Sequence, residues 1–338
     1  MYRWIGRFTK GSRLERVTRL AMAVPPPVAF CIVTMAGYAA FALARRTRQR
    51  VIRNMAALLP ATSRPERWRL AARYFVQECL TIYEQGIEYR RGLLGRGTGG
   101  AGGRVSFEVE GLAHLDAALS KGKGAIVVAP HVGNYFYFYW WLSARHECLT
   151  VATMGSPEIR PLYLGFEELG LRGFDYDNDA PLAIVRQLRR LLRGNGVVFL
   201  MGDFARPGFP QGTLFGRPSG FPAGPVALAL ESGAPVVPLA GRRVNWRRHR
   251  MVFMPPLELA ARYRPEERRL AQDAITRVME ATIRDAPDQW LYWFNVDERW
   301  RACTDPAATP ERGSRSSVHT RTPQTSRSRS TRRPAERV

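Results

Sequence analysis

Short apolar runs alternate with helix-length amphipathic segments over most of this chain. The clearest runs are Ala125–Ala129 and Val197–Met201, and Pro181–Arg193 shows apolar residues at helical spacing. Strands that are apolar on both faces and separated by helices are typical of a mainly parallel sheet covered on both sides. The pattern therefore predicts an α/β fold, with a mostly parallel central sheet and flanking helices, over residues 104–300.

The same reasoning assigns the other elements of this domain. Further strands are predicted near 106–109, 149–154, 235–239 and 251–254, and further helices at 112–120, after Gly133, around 158–169, at 223–232 and at 266–284.

The N-terminal region carries the apolar segment that is longest without a charge. Residues 20–44 hold no charged side chain, and arginines flank them on both sides. Three prolines at 25–27 leave 17 residues, 28–44, or roughly 26 Å of helix at about 1.5 Å per residue, near the lower limit for a membrane span. We expect residues 1–44 to anchor the chain by crossing the bilayer once or lying in its surface; a core helix is the alternative.

Composition shifts mark the remaining boundaries. Residues 45–94 read as a basic helix ended by Pro60 and a longer amphipathic helix, both packing on the main domain. Six glycines within residues 95–103 indicate a flexible connector. Residues 301–338 are rich in Arg, Ser, Thr and Pro, have almost no large apolar side chains, and are predicted to be disordered.

The charge balance favours anionic partners. Lys and Arg number 51 against 29 Asp and Glu, for a net charge of +22, and nearly all the cations are arginines. Such a charge suits a phospholipid surface, nucleic acid or an acidic carrier protein. The four cysteines are far apart and have no histidine at metal spacing, so we expect no disulfide framework, no metal site and a reduced, cytoplasmic setting.

Two polar residues follow predicted strands at positions where a site is expected. His131 comes just after Ala125–Ala129, and Asp203 just after Val197–Met201. Because parallel strands end at one edge of a sheet, the two side chains are expected to share a crevice, where an imidazole can take a proton from an attacking hydroxyl. Gly133 and Asn134 then suit a tight turn and a helix start whose backbone N–H groups face a developing oxyanion.

A Gly- and Pro-rich loop over residues 202–218 is predicted to line a ligand site, since it is long and follows a strand. It contains Arg206 and Arg217, which are expected to bind anionic groups; solubilising surface charge is the alternative for both.

The ordered set of motifs resembles the late acyltransferases of lipid A biosynthesis over roughly residues 15–300. The residues that carry the resemblance include Asn54, Leu58-Leu59-Pro60, His131-x-Gly133-Asn134, Gly202-Asp203, Phe215-Gly216-Arg217-Pro218, Gly224, Gly233-Ala234-Pro235-Val236-Val237-Pro238 and Gln289-Trp290-Leu291-Tyr292-Trp293-Phe294.

The resemblance implies a glycerolipid-acyltransferase-like fold and an enzyme on the cytoplasmic face of the inner membrane. Such an enzyme moves a fatty acyl group from acyl carrier protein or coenzyme A to a lipid or glycolipid acceptor, with no cofactor beyond that co-substrate. It also implies a His-x-x-x-x-Asp/Glu pair, and His131 matches its first member. Substrate contacts are expected at Gly133, Asn134, Arg160, Arg206, Phe215, Gly216 and Arg217.

The chain departs from the family pattern at two positions. Phe136 stands where the acid of the pair is expected, and the family's basic residue after the next strand is replaced near Met154, with Arg160 the nearest alternative. Asp203, Asp175 or Asp177 are the candidates to replace the acid through the fold, Asp203 first.

We therefore expect an acyltransferase with His131 as base and Asp203 orienting it or the substrate. The alternative is a catalytically weak or inactive relative that binds lipid or organises a membrane complex, which Phe136 favours. Nucleic-acid binding through the basic tail is weaker, because no recognition fold accompanies it.

Overall fold

A seven-stranded sheet forms the centre of the computed structural model, which describes residues 20–88, 105–153, 172–206 and 208–304. The strand order is β1-β9-β8-β2-β5-β3-β4, and β6 and β7 form a separate two-stranded sheet. The strands are β1 (Ser106–Glu110), β2 (Ala125–Ala129), β3 (Cys148–Ala152), β4 (Gly173–Asp175), β5 (Val197–Met201), β6 (Gln211–Leu214), β7 (Arg217–Gly220), β8 (Val236–Arg243) and β9 (Arg248–Phe253).

Ten α-helices surround the sheet in the described part of the chain. They are α1 (Pro26–Leu43), α2 (Arg45–Leu58), α3 (Arg64–Gly86), α4 (Leu112–Leu119), α5 (Tyr135–Ser143), α6 (Pro181–Arg193), α7 (Gly224–Ser232), α8 (Leu259–Arg262), α9 (Arg268–Asp285) and α10 (Val296–Thr304), with short 3-10 segments at Pro265–Glu267, Pro287–Gln289 and Leu291–Phe294.

Five of the seven strands run in the same direction. β2 is parallel to β5 and to β8, and β5, β3 and β4 continue the parallel set. β9 is antiparallel to β8, and β1 is parallel to β9. β9 reverses because only residues 244–247 connect it to β8, too few for a parallel crossover. The prediction of a mostly parallel α/β sheet is confirmed.

Side chains alternate between two cores on opposite faces of the sheet. Ile126 and Val128 of β2 lie in one core with Leu188 of α6, whereas Val127 lies in the other with Leu115 of α4. This alternation follows from the two-residue period of a strand, and the apolar run of β2 is explained by burial on both faces.

Helix α1 lies along α3 and keeps one face exposed. A side chain at Gly37 would stand 2.6 Å from the Cα of Val76, so glycine is what allows the two helices to approach this closely. Phe41 packs edge-on against Phe75, with ring centroids 5.7 Å apart. Most of α1 is nonetheless exposed, which excludes the core-helix alternative, and α1 is the one helix among the described residues long and apolar enough to cross a membrane.

The helical region that precedes the sheet in the chain also contacts the segments that follow the sheet. The Asn54 side-chain amide of α2 donates to the Trp293 carbonyl over 2.8 Å, and Arg50 pairs with Asp297 over 2.7 Å. α3 begins at a capping box in which Ser63 and Glu66 bond each other's backbone N–H. The bonds of Asn54 and Arg50 therefore join α2 to the part of the chain that follows the sheet.

Several predicted features lie outside the described residues. These are the basic start of the anchor at 1–19, the connector at 95–103, the helix around 158–169 and the tail from 305 onward. The domain boundaries stay predictions.

Two features of the described region differ from what the pattern indicated. β4 was not predicted, because three residues are too few to show a period. Residues 202–218, predicted as one irregular loop, contain β6 and run into β7, which together form an antiparallel hairpin. Glycine and proline are depleted in strands, so Gly212 and Pro218 gave the sequence no strand pattern from which this hairpin could be predicted.

Candidate active site

His131 and Asp203 lie side by side at the carboxyl edge of the parallel strands. β2 and β5 are paired in register, with Ala129 opposite Met201, and the N–H of Gly202 continues the ladder to the Ala129 carbonyl over 2.9 Å. His131 lies two residues past the end of β2 and Asp203 two residues past the end of β5, and their side chains meet there. The register that buries both strands therefore brings the predicted residues together.

Asp203 accepts three hydrogen bonds, and two of them come from His131. Its Oδ1 lies 2.5 Å from His131 Nδ1, and its Oδ2 accepts from the His131 backbone N–H over 2.9 Å. Trp290 Nε1 donates to the same Oδ2 over 2.7 Å. With Nδ1–H donating to a carboxylate, the lone pair of the imidazole resides on Nε2, which is the arrangement a general base requires.

The surroundings of Asp203 keep it ionised although it is wholly buried, with 0% of its surface exposed. Burial alone would raise the pKa of Asp203. The charge and hydrogen bond of His131, the nearby charge of Arg299 and the Trp290 hydrogen bond together hold this pKa below its ordinary value.

Two tyrosine rings hold the His131 imidazole edge-on. The ring centroids of Tyr135 and Tyr292 lie 4.7 and 4.9 Å from that of His131. The backbone is fixed as well, since the His131 carbonyl accepts from Leu291 N–H over 2.9 Å. The imidazole side chain keeps 11% of its surface exposed, so it is oriented without being sealed off.

Gly133 and Asn134 shape the turn between the histidine and α5. Gly133 has a φ of +65°, and a side chain there would stand 3.0 Å from the Cα of Arg242. Asn134 is the N-cap of α5, accepting from Tyr137 N–H over 3.4 Å and donating to Glu84 over 2.8 Å. The Gly133 N–H is occupied by the Gln289 carbonyl. These two residues therefore build the turn, and their direct contact with a substrate stays a prediction.

The Glu84 side chain that binds Asn134 belongs to a buried ion pair. Glu84 of α3 accepts from Arg243 Nε over 2.9 Å and from its Nη2 over 2.5 Å, and both residues are buried. Burial would raise the pKa of Glu84, but Arg243, His249 and Asn134 outweigh it and lower this pKa. Gln289 in turn bonds the backbone N–H and carbonyl of Arg243. The network ties α3, β8 and the segment before Trp290 to the start of α5.

The β6–β7 hairpin reaches the site through its turn. Phe215 and Gly216 both have positive φ, 52° and 73°, a conformation in which Phe is rare. The Phe215 N–H donates to Glu280 over 2.6 Å, and its ring centroid lies 6.1 Å from that of Trp290. The strained turn therefore places Phe215 behind the tryptophan that holds Asp203.

The other acids and cations proposed from sequence have separate partners. Asp177 forms a two-pronged pair with Arg206, and Asp175 accepts from the Asp177 N–H over 3.0 Å. Of the three candidate acids, Asp203 is the one that contacts His131. The Arg217 guanidinium lies 4.5 Å from the centre of the Trp300 ring. Arg160 and Met154 lie outside the described residues.

Phe136 occupies an apolar position. It is buried in the core on the α5 face of the sheet, and its ring centroid lies 5.0 Å from that of Tyr135. Nδ1 of His131 is bound to Asp203.

Sequence reasoning assigned no role to Trp290, Tyr292 or Arg299. All three lie more than 150 residues from His131 in the chain and contact the site only through the fold. The Arg299 guanidinium lies 4.3 Å from the centre of the Tyr292 ring and 6.0 Å from that of Trp290. The aromatic run at 289–294 is a motif of the sequence, but its residue types alone do not indicate a carboxylate partner.

The profile of the bacterial lipid A biosynthesis acyltransferases matches residues 16–302. The chain belongs to this family. The match spans the sheet and every residue of the site described above.

Curated relatives in the family are named phosphatidylinositol mannoside acyltransferases. The one from Mycobacterium tuberculosis H37Rv is 40% identical over 142 residues, which are 38% of this chain and 42% of the relative. The one from Mycolicibacterium smegmatis is 35% identical over 145 residues, 39% of this chain and 45% of the relative. The chain therefore matches less than half the length of either protein.

A solved structure, the 1-acyl-sn-glycerophosphate acyltransferase from Thermotoga maritima, is also similar. It covers 79% of this chain and 100% of its own length at 13% identity, with a TM-score of 0.37. A similarity at this level carries no inference about the chemistry of this chain.

Proposed function

We propose that this protein transfers a fatty acyl group from a thioester donor, acyl carrier protein or coenzyme A, to a hydroxyl of a membrane lipid or glycolipid. The observation that carries the proposal is the contact of 2.5 Å between His131 Nδ1 and the wholly buried Asp203 carboxylate. A histidine oriented in this way is the base that attack on a thioester requires.

The residues suit a simple sequence of steps. His131 Nε2 takes the proton of the acceptor hydroxyl while its oxygen attacks the thioester carbonyl. Asp203 stabilises the imidazolium that forms and remains ionised. When the tetrahedral intermediate collapses, the carbon–sulfur bond breaks, and His131 returns the proton to the departing thiolate. An ester and a free thiol are the products.

The names of the curated relatives support a mannosylated phosphatidylinositol, or another glycosylated membrane lipid, as the acceptor. A lipid A-type acceptor is the second candidate, since the matching family is named for it. Both acceptors present sugar hydroxyls on an anionic lipid, which suits a chain with a net charge of +22.

We also propose that α1 lies in the membrane surface at the cytoplasmic face of the inner membrane rather than crossing it. Phe30, near the start of the helix, packs against Trp246 of the β8–β9 turn, with ring centroids 6.4 Å apart, and Phe41, near its end, packs on α3. Contacts at both ends fix the helix along the domain. Its opposite face, which includes Ile32 and Met35, is exposed and suits lipid.

Acyl transfer from radiolabelled acyl-coenzyme A and acyl carrier protein to phosphatidylinositol mannosides and to a lipid A precursor tests the proposal. We expect His131→Ala to abolish transfer and His146→Ala, a second partly buried histidine before β3, to retain it. Equal activity of the wild type and His131→Ala contradicts a catalytic role for this histidine. No transfer by the wild type to any of these acceptors favours the lipid-binding alternative.

A further inference from the structure

Arg299 is a buried cation next to the His131–Asp203 pair. It lies on α10 with 8% of its surface exposed, stacked on Tyr292, and Asp203 is the carboxylate that acts on its charge. Its Nη1 makes no hydrogen bond to the described part of the chain. A buried guanidinium with so few partners is costly, which suggests that its charge has a use at the site.

The charge balance of the resting site bears on that use. A base must be neutral before it takes a proton, so His131 then supplies Asp203 with a hydrogen bond but no full charge. Trp290 and the backbone of His131 supply further hydrogen bonds. Arg299 is the permanent cation that acts on Asp203 among the described residues. Burial raises the pKa of a carboxyl group and a nearby cation lowers it, so the charge on Arg299 favours the ionised form of Asp203.

We propose that Arg299 is a positioning residue that keeps the resting pair ready to act as a base, with Asp203 ionised and His131 neutral. With Arg299 in place, the three side chains sum to zero charge before reaction. Without it, the pair carries a net negative charge in the interior and binds a proton more tightly. That proton occupies the nitrogen that has to accept one from the acceptor hydroxyl. The kinetic consequence rests on the proposed acyl transfer, whereas the protonation itself does not.

The titratable and charged groups that face the pair in the described part of the chain come from three elements. Tyr135 approaches from α5, Tyr292 from the Leu291–Phe294 segment, and Arg299 from α10. Tyrosine hydroxyls ordinarily titrate near pH 10 and carry no charge at neutral pH. The charge on Arg299 is therefore the one whose removal is expected to change proton binding by the pair near neutral pH.

The test compares Arg299→Met and Arg299→Gln with Arg299→Lys in the full chain. We expect the acid limb of the kcat/KM profile to move to higher pH by about one unit in the two neutral variants and to stay in place with lysine.

A second measurement needs no activity. The ring nitrogens of the five histidines are labelled with ¹⁵N, the His131 signal is assigned with His131→Ala, and its protonation is followed against pH. We expect the midpoint to rise in the neutral variants by the same amount as the kinetic limb. A midpoint unchanged in folded Arg299→Met or Arg299→Gln overturns the inference. So does unfolding of both neutral variants while the lysine variant folds, since the cation then serves only the fold. A raised midpoint in a chain without transferase activity supports the role of Arg299 and counts against the proposed function.

Discussion

Trp290 Nε1 donates a hydrogen bond to Asp203 Oδ2 over 2.7 Å, and both side chains are wholly buried. Trp290→Phe removes this donor and leaves a lone pair of a buried carboxylate unsatisfied. We expect a loss of about 2 to 4 kcal/mol in the free energy of unfolding and a fall in kcat of about tenfold or more, measured by urea unfolding and by steady-state transfer.

Trp293→Phe is the matched control, since Trp293 is also wholly buried but donates to the Pro287 carbonyl instead. It is expected to lose comparable stability and to keep most of its kcat. Equal kcat values for Trp290→Phe and Trp293→Phe would contradict a role of Trp290 in catalysis.

The carboxylate itself is tested by Asp203→Asn. The amide keeps the shape of the side chain but can offer an N–H to the imidazole, which favours the tautomer with its proton on Nε2. We expect kcat/KM to fall by about three to four orders of magnitude, as for other histidines that lose their orienting carboxylate. Asp177→Asn, which breaks the exposed pair with Arg206, is expected to retain activity within a few-fold. A fall of similar size in both variants, with the fold intact, is incompatible with the assigned pairing.

The sequence predicts the sheet edge better than it predicts the site built on it. The bounds of β2, β5 and α6 agree with the predicted ones, because long apolar runs and a strong helical period determine these elements locally. The meeting of His131 and Asp203 follows from the direction of parallel strands. Residue pattern and topology were sufficient for these features.

The remaining parts of the site depend on contacts that no local pattern records. Trp290 bonds Asp203, and Arg299 lies beside Trp290, because the chain returns to the sheet edge after α9. Nothing in the local sequence of either residue specifies that path. The strained turn at Phe215 is held by Glu280, 65 residues away. The carboxylate that contacts His131 likewise comes from the end of another strand, not from the position of Phe136.

Stability below neutral pH is expected to depend on Glu84. Because Arg243 and its other neighbours outweigh the effect of burial, the pKa of Glu84 lies below its ordinary value in the folded chain. A lowered carboxyl pKa contributes stability that is present above the ordinary value and is lost as the pH falls through the folded value. Unfolding by urea between pH 7 and pH 3 measures this loss.

Glu84→Gln removes the charge and leaves Arg243 buried without the carboxylate to which it is paired. We expect the free energy of unfolding at pH 7 to fall by about 3 to 5 kcal/mol and its acid dependence to become shallower. Glu110→Gln, which breaks the exposed pair with Arg250, serves as the control and is expected to unfold like the wild type. If both variants keep the wild-type pH dependence, the buried pair is not its source.

Membrane attachment through α1 is tested on its exposed face. Ile32 and Met35 are 56% and 68% exposed and lie opposite the side that packs on α3. Ile32→Glu with Met35→Glu places two charges where lipid is proposed, and we expect binding to anionic phospholipid vesicles to weaken by at least tenfold in a flotation assay. Leu270→Glu, at an apolar position on α9 that is 52% exposed, is expected to bind as the wild type does. Unchanged binding of the α1 variant rejects this helix as the lipid-facing element.

Substitutions on α6 test whether acyl carrier protein is the acyl donor. The outer face of this helix combines exposed apolar and basic side chains. Leu182, Val185, Arg186, Arg189 and Arg193 line a shallow groove of about 250 Å³. α6 is the element that follows β4 in the chain, so it begins at the carboxyl edge of the sheet. Its first turn therefore lies at the same edge of the sheet as His131. An acidic carrier protein that delivers an acyl chain to that edge meets this basic surface favourably.

Arg186→Glu with Arg193→Glu reverses two of these charges and leaves the Arg189–Glu231 pair intact. We expect KM for acyl carrier protein to rise by about tenfold or more at low salt, and the difference from wild type to shrink as salt screens the surface. KM for acyl-coenzyme A is expected to change less, because the smaller donor needs no protein docking surface. Arg268→Glu with Arg269→Glu, at the amino end of α9, changes the net charge equally and controls for it. If KM for acyl carrier protein is equal in the two double variants, it depends on net charge alone. That result excludes α6 as the docking surface for the carrier.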